Sequence, residues 1–64
     1  MNVREVIRIL ESDGWYQVRM KGSHRPFRHD AKIGLVTVPG KPKDDLAPGT
    51  LSSILKQAGI KDGK

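Results

Sequence analysis

Two histidines stand five residues apart in KGSHRPFRHD, residues 21–30, a run that also carries Lys21, Arg25 and Arg28. An imidazole titrates near neutral pH, so His24 is suited to take a proton from a reacting oxygen or to return one. The cations around it, Arg19, Lys21, Arg25 and Arg28, are suited to hold a phosphodiester and to stabilise charge developing on the phosphate. Ser23 adds a hydroxyl that could donate to phosphate, although Gly-Ser is also good turn chemistry. An RNA substrate would bring its own nucleophile, the 2′-hydroxyl. The same residues also describe a polar hairpin in which His24 is an exposed histidine with no chemical task. In a regular strand a spacing of five puts His29 on the face opposite His24, which argues against a two-histidine acid/base pair. It argues against a metal site as well that Asp30 is the one carboxylate nearby and that the chain has no cysteine.

The distribution of charge narrows the partner. The net charge is +5, and residues 1–14 contribute −1, residues 15–43 contribute +6 and residues 44–64 contribute 0. The whole excess lies in the middle of the chain, the footprint of a surface that meets phosphates. A length of 64 residues allows one domain, spanning 1–64, with few large apolar side chains to spare beyond a single core. A large enclosed catalytic cavity is therefore not expected. With no cysteine, no signal-peptide-like apolar run and no stretch long enough to span a bilayer, the expected setting is the cytoplasm, with no membrane contact.

Hydrophobic spacing supplies the elements that must position these residues. Val3, Val6, Ile7 and Leu10 recur at helical intervals, with Asn2 and Glu5 placed as a capping box and Asp13-Gly14 as the stop. A second helix fits Leu51, Ile54, Leu55 and Ala58, with Thr50 as its cap. Gly59 ends it, and Ile60 folds back toward Leu55. Between them, strands are expected over 15–21, 24–29 and 35–38, followed by an ordered surface connection over 40–49. The order α-β-β-β-α predicts an α+β fold: a three-stranded antiparallel sheet with both helices on one face and the other face open.

Gly22-Ser23 matches a two-residue hairpin loop, and that loop sets a register. Lys21 would then oppose His24, Val18 would oppose Phe27 and Gln17 would oppose Arg28. Alternation in this register puts Gln17, Arg19, Lys21, His24 and Arg28 on the open face, and Tyr16, Val18, Met20 and Phe27 against the helices. Arg25 and His29 fall on the helix side by parity and would reach for its rim. Pro26 sits in the central strand, where it cannot donate to a ladder, so a bulge or a shortened pairing is expected beside it. Trp15, just after a helix, is a core or rim anchor rather than a base-stacking residue. Asp44 and Asp45 fit a solvated loop.

Three segments together carry a resemblance: LESDGWYQVRMKGSHRPFRH, GLVTVPG and LAPGTLSSILKQAGI. Over roughly residues 3 to 60 the chain resembles the HicA-type mRNA interferase toxins of bacterial toxin-antitoxin systems. The resemblance implies a double-stranded-RNA-binding-domain-like fold, endoribonuclease activity without a metal or other cofactor, and neutralisation by a HicB-type antitoxin. It carries the family's active-site histidine onto His24 and assigns no second catalytic group. The lysine-rich start of the last helix in ordinary duplex binders is missing, since that helix holds only Lys56. Two other functions fit the residues: a non-catalytic RNA-binding module on the same basic face, and a protein-interaction domain whose cations meet an acidic partner.

Overall fold

A computed structural model of the chain describes residues 1–19, 22 and 24–60. Helix α1 (Val3–Ser12) leads into strands β1 (Trp15–Gln17), β2 (Arg25–His29) and β3 (Val36–Val38), and helix α2 (Pro48–Gln57) follows. The strands form one antiparallel sheet in the order β1-β2-β3. Val3, Val6 and Leu10 of α1 and Ile54 of α2 meet Trp15, Phe27, Val36 and Val38 in one buried cluster, with Ala58 beside them. All four sheet residues share one side of the sheet, so both helices cover that side and leave the other bare, as expected.

Local chemistry accounts for the helix ends. The Glu5 amide donates to Asn2 Oδ1 at 2.9 Å and the Asn2 amide to Glu5 Oε1 at 3.0 Å, a complete capping box. At the end of α2 the Ile60 amide donates to the Leu55 carbonyl at 2.9 Å and the Gly59 amide to the Lys56 carbonyl at 3.1 Å, with Gly59 at φ 69°. These are the paired bonds of a Schellman end. The start of α2 differs from expectation: its cap is Ala47, with no side-chain bond, and Thr50 lies inside the helix. Pro48 at the first helical position explains the earlier start, because its fixed φ suits the first turn and its missing N–H costs no helical bond.

The connection over 40–49 is tied down rather than merely solvated. The Pro42 and Asp44 carbonyls accept from the first-turn amides of Arg4 and Val3, at 3.1 and 2.9 Å, and the Leu46 amide donates to the Met1 carbonyl at 3.0 Å. Two otherwise orphaned helix donors are satisfied by a loop distant in sequence. The Asp44 carboxylate accepts from the Lys41 amide at 3.0 Å, a loop-closing task.

The register of β1 and β2 differs from the one the loop length suggests. Trp15 pairs with His29, Tyr16 with Arg28 and Gln17 with Phe27, a shift of one residue. Such a slip exchanges the two faces of a strand. The expected register would have left Trp15 on the bare face and buried Tyr16, whose hydroxyl would then need a partner in the core. The observed one buries Trp15 to 2% exposure beside Phe27 and leaves Tyr16 45% exposed. Indole burial decides the register. Gly22 has φ 61°, as a tight turn requires of glycine; Ser23, the second residue of the expected loop, and the expected placements of Met20 and Lys21 lie outside the described residues.

Pro26 explains where β1 stops. The Val18 amide donates to the Pro26 carbonyl at 3.0 Å, but the reciprocal bond would need a proline N–H. The β1 pairing therefore ends at Gln17, and the missing donor of the central strand falls beside a strand end. On the β3 side Pro26 pairs with Thr37 between Arg25↔Val38 and Phe27↔Val36, and the ladder continues.

Candidate nucleic-acid interface

Strand alternation assigns each charged residue of the hairpin a side. Arg25, Phe27 and His29 point to the helix side, while Pro26 and Arg28 point to the bare side with Tyr16 and Thr37. His24, one residue before β2, continues the second set and is exposed, as is Arg28. The structure thus brings His24 and Arg28 to one open face. It separates Arg25 from them: that side chain is half-buried on the helix side of the sheet. Arg19 is exposed two residues beyond β1, and the one-residue slip removes the open-face position that the expected register gave it. Lys21 and Ser23 lie outside the described residues.

The two histidines occupy opposite environments. The Ala31 amide donates to His29 Nδ1 at 2.9 Å, so the ring proton sits on Nε2, which lies 2.6 Å from the Asp13 carbonyl and donates to it. The ring also meets Trp15 edge-on, with centroids 5.2 Å apart and planes at 69°. His29 therefore joins the end of α1 to the end of β2 and has no ring nitrogen left for a substrate. His24 shares none of this: no described residue hydrogen-bonds to its ring.

Asp13 and Lys32 complete a second node that sequence patterning did not reveal. Lys32 Nζ lies 2.5 Å from Asp13 Oδ2 and 2.9 Å from the Ala58 carbonyl. One ammonium thereby neutralises the carboxylate at the C-cap of α1 and satisfies a terminal carbonyl of α2, where the helix dipole favours a cation. The Lys32 hydrogen bond holds the Asp13 carboxyl below its ordinary range, against a smaller opposing push from desolvation. The Trp15 indole N–H is buried with no acceptor at hydrogen-bond distance. Lys32 belongs to the basic segment by sequence, but its charge is spent on the fold rather than on the bare face.

No pocket forms among the described residues. An open three-stranded antiparallel sheet backed by two helices, with His24 and Arg28 on its uncovered side, defines a small α+β domain. The chain belongs to the HicA toxin family of bacterial toxin-antitoxin systems: the family model matches residues 3–60, nearly its whole length. It is accordingly a toxin, and a toxin of such a system acts opposite an antitoxin. Comparison with curated proteins finds no significant match. No helix among the described residues is long and apolar enough to cross a membrane.

Proposed function

We propose that this toxin is a cytoplasmic, metal-independent endoribonuclease that cleaves mRNA across its bare sheet face, with His24 transferring the proton. The observation that carries the reading is the contrast between the histidines: both ring nitrogens of His29 are engaged by backbone groups, whereas His24 is exposed on the open face that also carries Arg28. His24 takes the proton of a ribose 2′-hydroxyl; the 2′-oxygen attacks phosphorus and the bond to the 5′-oxygen breaks. A 2′,3′-cyclic phosphate and a 5′-hydroxyl result, with the leaving oxygen protonated by solvent or by the imidazolium. Arg19, Lys21 and Ser23 hold the backbone on the hairpin side of the imidazole, Arg28 holds it farther along the strand, and Arg25 contributes from the rim. A HicB-type antitoxin neutralises the toxin by covering this face, pairing with its cations and excluding RNA.

The test is incubation of RNA with the purified chain and with His24→Ala, each in EDTA, alongside an RNA carrying 2′-deoxyribose at the cut site. Cleavage by the wild type alone, abolished by the deoxy substitution, is the expected result. Equal cleavage by His24→Ala removes the catalytic assignment. Wild-type protein that binds RNA and leaves it whole is a non-catalytic RNA-binding module instead.

A further inference from the structure

Tyr16 is the aromatic residue that the burial of Trp15 turns out onto the bare face. It is 45% exposed, lies outside the core cluster, and occupies the face that carries His24 and Arg28. Its strand partner is Arg28 itself. Its hydroxyl donates to Asp30 Oδ1 at 3.3 Å, which tethers the far end of the ring at the end of β2. The neighbouring Val18 and Pro26 are half-buried and give the same face a shallow apolar floor. An aromatic ring tethered on an open sheet face, paired with a cation across the strands and outside the core cluster, has the chemistry of a platform for a nucleobase. Only an unpaired base offers its flat side to such a ring.

Resting on the ribonuclease reading, we propose that Tyr16 stacks one unpaired base of single-stranded RNA, displaced along the strand from the bond that is cut, while Arg28 holds the adjoining phosphate. Arg28 lies four residues along the strand from His24, roughly 13 Å at about 3.3 Å per residue. The stacked base is therefore not one that flanks the reacting phosphate directly. Tyr16 makes cleavage depend on the presence of an unpaired base at a fixed distance from the cut.

The experiment uses a short single-stranded RNA with one mapped cut, and a series in which each nucleotide in turn is replaced by an abasic ribose. Wild type is expected to lose about tenfold in kcat/KM at one position away from the cut, the usual scale of a single base-aromatic stack. Tyr16→Ala is expected to lose about the same factor on the intact RNA and to suffer no further loss at that position. Tyr16→Phe, which keeps the ring, is expected to restore the abasic sensitivity. Tyr16→Ala that cleaves intact RNA as wild type does, or that keeps the full abasic penalty, overturns the proposal. An abasic series with no penalty away from the cut in the wild-type protein overturns it without any variant. Loss of antitoxin binding in Tyr16→Ala with RNA cleavage intact would make the ring a protein contact and reject it likewise. If wild type cleaves and His24→Ala does not, a failure at Tyr16 leaves the ribonuclease reading standing; if wild type leaves RNA uncut, both fall.

Discussion

The imidazole of His29 donates through Nε2 to the main-chain carbonyl of Asp13, 2.6 Å away, and so fastens the end of the first helix to the end of the central strand. Removal of that ring takes away two hydrogen bonds and the edge contact with Trp15. We expect His29→Ala to lower stability by about 2 kcal/mol or more, the combined scale of such losses. His24→Ala, on the exposed face, should leave the urea midpoint nearly unchanged. Equal denaturation midpoints for the two variants would contradict this division of labour.

Gly14 makes that closure possible. Its φ is 104°, and a Cβ there would stand 2.7 Å from His29 Nε2. Gly14→Ala combines backbone strain with a clash against a ring held from both sides, so a loss of more than about 1 kcal/mol is expected. Thermal unfolding measures it, and a stability equal to wild type would show that the ring can move aside freely.

Asp13 should shape the acid limb of the stability curve. Its carboxyl titrates below the ordinary value in the folded chain because Lys32 donates to it, so its contribution is complete above the unfolded pKa and is lost as pH falls through the lower folded one. Urea unfolding between pH 7 and pH 2 should show stability falling below about pH 4. In Lys32→Met the Asp13 share of that fall should shrink; an unchanged acid limb would remove Lys32 as its cause.

Arg28→Ala should weaken RNA association over many sequences and flatten its salt dependence. Loss of one phosphate contact with a single strand reduces the slope of log K against log salt by about 0.7. Filter binding in the His24→Ala background reads this without cleavage. A slope unchanged by the substitution would move the phosphate contact away from the bare face.

Antitoxin binding should protect the same face. Hydrogen exchange of the complex with the product of the adjacent gene is expected to slow at exposed amides near His24 and Arg28, with loss of RNA cleavage. A tight complex that leaves this face unprotected and cleavage undiminished would place the inhibitory contact elsewhere.

The element order, the capping box of Asn2 and Glu5 and the Schellman end at Gly59 were legible in the chain because each depends on residues a few positions apart. Helical spacing likewise pointed to Val3, Val6 and Leu10 as core, and the segments around DGW, GSH and VTVP pointed to the family. The register of the hairpin was not legible, because loop length suggests one pairing and the burial of Trp15 enforces another, and only the packed core weighs the two. A one-residue slip then moved Tyr16 out to the bare face and Gln17 to the side of Phe27. Nor could sequence separate His24 from His29 beyond parity: the bonds that occupy His29 come from Asp13 and Ala31, and the first of these is sixteen residues away. The same is true of Lys32, which looks like part of the basic surface until chain folding brings Asp13 and the Ala58 carbonyl to its ammonium. Local chemistry is written in neighbouring residues, whereas the use of a charge or a ring depends on which distant groups the core brings within bonding distance.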